Sequence, residues 1–270
     1  MERNSVEIRK TPRLQNPSLI VSWQTQDIGK LGSKVADFLV DKLGGEEIAE
    51  MNPSGFFTFG GVRFRSDLVV VPESKFWACE GTPLLIFRSD EPAFEHFRFL
   101  SALLDFAEYD CQVRELYTLS GTLSLTAHTR PRRIPSVFSQ SDFQESLRGY
   151  GLEDMTWEGP PAISSYLLWV AKRRGLPGAS LWPEIPFYLA AGEDPQAVKA
   201  TLSFLDRKFR LGLDLKEIDL EIIDQNEKIS RLRKEKAEID QHIRRLEDGL
   251  GLDEEEQMIL SREVYETLKQ

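Results

Sequence analysis

Three short polar segments and one isolated acid carry the side chains best suited to chemistry in this sequence. The first, Gln24-Thr25-Gln26-Asp27-Ile28-Gly29-Lys30-Leu31-Gly32, follows an apolar run and opens a helical pattern. Gly29 and Gly32 could present backbone N–H groups to an anion at a helix N-terminus, or simply permit a tight turn and close packing. Their G-x-x-G spacing is short of either nucleotide-binding fingerprint. The second segment, Ser89-Asp90-Glu91-Pro92, sets two carboxylates side by side. Asp90 and Glu91 could hold a cation or supply a general base; equally, Asp90 could cap a helix with Pro92 in its first turn. The third runs from Ser120-Gly121 to His128-Thr129-Arg130-Pro131-Arg132-Arg133. His128 is the only one of the three histidines beside a cluster of three arginines. Those arginines would hold the imidazole neutral and could grip a carboxylate or phosphate. Pro131 restricts Arg130 to an extended conformation, so His128, two residues earlier, leaves the backbone on the same side. The competing reading pairs Arg130 with an acid such as Asp90 or Glu184, the fourth acid–base candidate. No G-x-S-x-G elbow exists, so Ser120 and His128 do not make a hydrolase triad. No His/Cys/Asp/Glu set has ligand spacing, and Cys79 and Cys111 stand too far apart for a cysteine zinc site. Neither a metal nor a cofactor is expected.

Composition bounds the function classes. The 270 residues hold 34 Lys+Arg against 44 Asp+Glu, a net charge of −10, which argues against a nucleic-acid partner. No apolar run approaches the roughly 18 residues that span a bilayer, so no membrane segment is expected. Met1 to Lys10 is charged and lacks an apolar core, unlike a secretory signal, and a cytoplasmic location is expected. The charge is uneven: residues 211–270 carry 17 acids and 10 bases, and all 14 prolines, 5 tryptophans and 16 phenylalanines precede them. Aromatic side chains supply large buried areas to cores, so the folded domain should end near that boundary.

The elements that must position the candidates alternate between two periods. Apolar runs at Leu19–Trp23, Leu84–Phe87, Leu116–Leu119 and Ala179–Trp182 read as buried strands. Helical patterns lie between them, near 28–43, 93–109, 143–148, 163–174 and 196–210. This alternation predicts an α/β fold with three layers and a mostly parallel sheet. Between Phe56 and Ala78, Val62–Arg65 and Leu68–Val71 read as an antiparallel insertion at one sheet edge. In such sheets ligands sit beyond the carboxyl ends of the parallel strands. Asp27, Gly29, Gly32, Asp90, Glu91, His128, Arg130 and Glu184 are therefore the candidate crevice residues.

The tail has a different period. Leu215, Ile218, Ile222, Gln225, Ile229, Leu232, Lys236, Ile239, Ile243, Leu246 and Leu250 step alternately by three and four, and nine of the eleven are apolar. This spacing predicts a coiled coil extending roughly 54 Å, with the nine apolar positions as the oligomerisation seam. Ile at most a positions leans towards a trimer. Gly249 and Gly251 would end that helix, and Asp253–Glu256 would open a short last one. The expected organisation is an N-terminal extension at 1–16, an α/β domain at 17–212, a long helix at 213–250 and a terminal helix at 251–270.

Several short motifs occur together: Leu19–Trp23 with Gly29 and Gly32, Asp90-Glu91-Pro92, Tyr117-Thr118-Leu119 with Gly121, His128-Thr129-Arg130-Pro131, Gly159-Pro160-Pro161-Ala162-Ile163-Ser164, and Pro186-Phe187-Tyr188-Leu189-Ala190 followed by Asp194-Pro195-Gln196-Ala197. In this order and spacing, from about Pro17 to Leu213, they resemble the proteasome assembly chaperone two family. The resemblance implies a three-layer domain similar to the purine nucleoside phosphorylase fold, a homo-oligomer that is often a trimer, and, for many members, non-enzymatic chaperoning of proteasome subunits. Bacterial relatives have also carried a carboxylate-amine ligase or ATP-grasp label, but the paired-strand lysines and metal-binding carboxylates of such a site are missing here. The chain departs from the pattern at Gln24–Asp27, where members carry Pro-Gly and a further Gly, and at Pro161-Ala162, where a glycine-rich segment is usual. It also ends Tyr265–Gln270, without the hydrophobic-tyrosine-X terminus that docks into proteasome pockets.

A non-enzymatic, oligomeric protein-interaction module with an unknown protein client is thus the leading expectation. The alternative is an anion or nucleoside-like small-molecule binder, or an enzyme, that uses the crevice.

Overall fold

Four strands whose side chains are apolar on both faces make the centre of the sheet, as expected where helices cover both sides. The computed structural model describes residues 5–11, 14–25, 27–58, 63–65, 68–70, 72–159 and 162–269. Gln26, Pro160, Pro161, Val62 and Val71 of the sequence motifs lie outside the described residues. The strands are β1 (Val6–Ile8), β2 (Ser18–Trp23), β3 (Glu46–Met51), β4 (Arg63–Arg65), β5 (Leu68–Val70), β6 (Ser74–Cys79), β7 (Leu84–Ser89), β8 (Glu115–Leu119), β9 (Thr122–Ser124), β10 (Pro135–Phe138), β11 (Glu153–Asp154), β12 (Gly178–Leu181) and β13 (Glu184–Pro186). The helices are α1 (Leu31–Lys42), α2 (His96–Asp105), α3 (Ser141–Leu147), α4 (Ile163–Arg174), α5 (Pro195–Phe209), α6 (Lys216–Glu235), α7 (Ala237–Glu247) and α8 (Glu254–Leu268).

Nine strands form one sheet in the order β1-β3-β6-β7-β2-β8-β12-β10-β11. The neighbours β7, β2, β8 and β12 are parallel, with Leu19 opposite Leu85 and Leu116. The sheet is mixed, however, and not mostly parallel: β1, β3 and β6 run antiparallel on one flank, and β10 is antiparallel to β12 on the other. Parallel neighbours need a crossover, usually a helix, and β3, β6 and β7 follow one another through connections with none among the described residues. The expected insertion exists as a separate hairpin, β4 with β5, and not as part of the main sheet.

Alternation along β2 sorts the core into two layers. Ile20 packs with Val35 and Leu39 of α1 and with Leu202 and Leu205 of α5. Leu19, Val21 and Trp23 face Phe99 and Leu103 of α2 and Leu167 of α4. No helix among the described residues is long and apolar enough to cross a membrane.

The tail departs from the expected coiled coil in two ways. Its helix is broken at Lys236, where φ −126° and ψ 100° are extended, so α6 and α7 are separate helices. The seam is also used within the chain. Ile218, Ile229, Leu232, Ile239, Ile243 and Leu246 are buried in the same core as α1 and α5, while Leu215 and Ile222 pack partly buried against it. Gln225 at a d position donates to the Glu193 carbonyl at 2.8 Å, and Leu250 is exposed. The stripe recorded burial correctly, but the partner is this chain's own helical layer. Lys42 to Glu217 at 3.0 Å and the Lys34 pairing with Glu221 fasten α6 to α1. The expected start of the last helix is present: Asp253 and Glu256 cap each other reciprocally at 2.9 Å.

This packing sets an outcome for Ile243. Ile243→Ala should lower unfolding stability by about 2–5 kcal/mol, since it empties a fully buried intramolecular site. An intermolecular seam would make the loss depend on protein concentration; chemical-denaturation midpoints taken at about 1 and about 100 µM should instead shift by the same amount.

Candidate functional site

A cleft of about 560 Å³ opens at the carboxyl ends of the central strands. Trp23 closes β2, Leu119 closes β8, Trp182 follows β12 and Glu91 follows β7, and all four line it. Asp27, Ser120, Trp157 and Ser164 complete the parts that bear on chemistry. Of the candidate crevice residues, Asp27 and Glu91 line this cleft.

Asp27 lies in the β2–α1 connection with its carboxylate turned to the helix. Its two oxygens accept the N–H groups of Gly32 and Ser33, each at 2.8 Å. Burial nevertheless raises its pKa, outweighing those hydrogen bonds. Gly29, at φ +61°, gives its N–H to the Ala190 carbonyl at 3.1 Å. A Cβ there would meet Ile185 at 2.9 Å, and one on Gly32 would meet the Ser22 hydroxyl at 2.8 Å. The glycines thus serve a tight, closely packed turn, and a carboxylate of the chain itself occupies the donors that an external anion would need.

On the opposite wall, Thr25 donates to Asp90 at 3.2 Å and accepts the Glu91 N–H at 3.0 Å. This fixes the loop after β7 without engaging the Glu91 carboxylate, whose pKa burial raises. Asp90 is not a helix cap, because α2 begins only at His96, after Glu95 in a left-handed conformation. Across the mouth of α4, the Ser120 and Ser164 hydroxyls bond at 2.8 Å.

The remaining candidates belong to a different construction. His128, Arg130 and Glu184 do not line the cleft. His128 is buried, where its backbone N–H donates to the Tyr188 hydroxyl at 2.6 Å and its Nδ1 meets the same oxygen at 2.9 Å. Burial first, and Arg233 and Arg132 after it, lower its pKa to about 4. The arginine group is also committed. Arg133 forms a two-pronged pair with Glu184 at 2.7 and 2.9 Å, and Arg130 donates to the Glu247 carbonyl at the end of α7. Arg132 is fully buried against Asp194, Nε to Oδ2 at 2.7 Å, and its Nη1 reaches the carbonyls of Ala127, His128 and Arg130. The expected grip on an external anion is replaced by internal pairs that shape the loop and dock the tail. Among the described residues no three His, Cys, Asp or Glu side chains gather as a metal would require.

Sequence reasoning passed over Trp157, Trp182 and the Ser120–Ser164 pair as cleft walls, and Arg132 with Asp194 as a unit. Trp182 stands directly after a strand, so the rule that selected Glu91 could have found it. Asp194 precedes a proline at a helix start, a capping signal, and it does accept from Gln196 and Ala197. Trp157 sits in a loop with no periodic signal.

The family profile described as the PAC2 family matches residues 23–245. No curated protein matches the sequence. Among solved structures, a Mycobacterium tuberculosis protein of unknown function is 21% identical with a TM-score of 0.79, covering 92% of this chain and 89% of that one. A Mycobacterium tuberculosis proteasome-assembly chaperone homologue is 18% identical at TM-score 0.69, covering 79% and 94%. Pyrococcus furiosus PbaB, an archaeal proteasome activator, is 22% identical at TM-score 0.70, covering 86% and 100%. At these identities the likeness shows a shared fold.

Two outcomes follow from the geometry. Asp194→Ala leaves Arg132 charged and buried without its partner, and should cost about 3–5 kcal/mol in urea unfolding. The His128 imidazole binds a proton near pH 6.5 when unfolded but only near pH 4 when folded, so the unfolded state holds more protons between those values. Stability should therefore fall as pH drops from 6.5 to 4, by on the order of 3 kcal/mol from this group, and the contribution should level off below. Unfolding midpoints measured across that range should slope less in His128→Asn.

Proposed function

This chain belongs to the PAC2 family, and on that premise we propose that it is a non-enzymatic, homo-oligomeric protein-interaction module whose client is another protein. The exposed aromatic face of α2 and α4 carries the reading. Phe97 and Trp169, 52% and 46% exposed, pack edge to face with ring centroids 6.4 Å apart. Tyr166 lies 5.7 Å from Trp169, and the Arg173 guanidinium sits 4.8 Å over its ring. Phe94, equally exposed, precedes α2. Aromatic residues and arginine are the types enriched in protein interfaces and their energetic centres. The α1/α5 layer shows no such aromatic cluster among the described residues: α6 packs on α5 and pairs with α1, and what α6 exposes, Leu220 and Ile223, is aliphatic.

The relatives support the same direction, one being a proteasome-assembly chaperone homologue and another an archaeal proteasome activator. We read the layered architecture as phosphorylase-like and the oligomer as a trimer. With the heptad stripe buried inside the chain, the aromatic face is the surface on which copies meet. A second reading, small-molecule binding, rests on the cleft with its half-buried carboxylates.

The test is sedimentation velocity of the intact chain and of a Phe97→Glu/Trp169→Glu variant. The parent should sediment as a trimer at micromolar concentration and the variant as a monomer. Because both positions are exposed in the folded chain, the variant should keep the parent's circular dichroism, its melting temperature falling only by what the lost assembly contributed. A monomeric parent, or a variant that assembles like it, would overturn the reading.

A further inference from the structure

Two kinds of cleft-lining polar group are completed by no described residue: the indole donors of two tryptophans and the acceptors of one carboxylate, Glu91. Trp23 is only 4% exposed, yet its indole N–H finds no hydrogen-bond partner among the described residues, and neither does the buried indole N–H of Trp182. Both residues line the cleft. A buried donor without a partner is uncommon in folded proteins and calls for a reason. The second kind is acidic. Asp27 and Glu91 line the same cleft, and the Glu91 carboxylate makes no hydrogen bond among the described residues. No lysine, arginine or histidine stands among the lining residues.

These requirements select a ligand class. A phosphate or carboxylate would satisfy the indole donors but face two carboxylates with no cation in the cleft wall, Lys30 and His96 acting on Asp27 and Glu91 only from outside it. An amine would satisfy the carboxylates and leave the indole donors unpaired. A hydroxyl group does both, because it donates one hydrogen bond and accepts others. The Ser120–Ser164 hydroxyl pair adds a site that can also donate and accept. Trp157 supplies the apolar wall: it meets Trp182 edge to face at 6.2 Å and is 43% exposed, leaving ring surface for C–H groups. The volume falls within the usual range for small-ligand pockets. We propose that the cleft binds a small neutral polyhydroxylated molecule, of mono- or disaccharide size, between the Trp157 and Trp182 rings and the Asp27 and Glu91 carboxylates. This site is separate from the aromatic face of α2 and α4 and does not depend on it.

Three of the five tryptophans line the cleft, so intrinsic emission reports occupancy. The intact chain is titrated with glucose, galactose, N-acetylglucosamine, ribose, maltose and trehalose, each to about 50 mM, a weak-binding limit well above ordinary specific affinities. At least one should shift the emission saturably, while phosphate, adenosine monophosphate and spermidine should not. Glu91→Gln removes a charge-assisted acceptor and should weaken that binding about tenfold. Trp157→Ala should weaken it at least as much. Both variants replace partly exposed side chains and should keep the parent's circular dichroism and sedimentation. Saturation by none of the six sugars, preferential binding of any of the three charged probes, or unchanged affinity in both variants would each overturn the assignment.

Discussion

The buried pair of Arg132 and Asp194 is the constraint on which the rest of the structure leans. Both side chains are wholly removed from solvent, a situation that costs several kcal/mol per ion unless every polar atom is satisfied. Here the accounting closes. Asp194 accepts two hydrogen bonds from Arg132 and one each from the Gln196 and Ala197 N–H groups. Arg132 directs its remaining donor, Nη1, at three carbonyls of its own loop. The Asp194 backbone N–H also bonds the Gly29 carbonyl at 3.3 Å. One pair thereby ties together the turn after β2, the loop before β10 and the start of α5. That loop then presents Thr129 and Arg130 to Glu247, so the tail helices rest on a surface that the pair holds in shape.

This arrangement gives the domain two unlike sides. One helical layer is sealed by segments of the same chain and cannot meet a partner without first releasing them. The other keeps its aromatic side chains in solvent. Between them, at the strand ends, lies a cleft lined by two carboxylates, two serine hydroxyls and three indoles. The exposed aromatic face and the cleft thus lie on different surfaces of the domain.

What the sequence disclosed follows from what periodicity can encode. The four central strands were legible because burial on both faces writes an unbroken apolar run, as in Leu84–Phe87. The flanking β1 was not, being three residues long and largely exposed. The heptad stripe from Ile218 to Leu246 was legible as burial and misread as to partner, because a stripe records that a face is covered and not by whom. Its two polar positions, Gln225 and Lys236, mark where the chain bonds Glu193 and where the helix breaks. Asp27 and Glu91 could be placed in the crevice because strand ends converge there. His128 and Arg130 could not be excluded from it, because their partners are remote in sequence: Tyr188 lies 60 residues away and Glu247 lies 117. Arginine clusters look free in one dimension whenever their acids are supplied by topology.

The packing of α6 over α5, with α7 and α8 against α6, also imposes an order in time. During synthesis the sheet and both helical layers are complete before any of the covering segment exists. At ordinary elongation rates of roughly 5–20 residues per second, the apolar surface that will receive Ile229 and Ile243 stands open for several seconds on every nascent chain. In that interval the protein is itself an unfinished client, sticky on the side that will later be smooth, and its own last three helices act as the first partner that it captures.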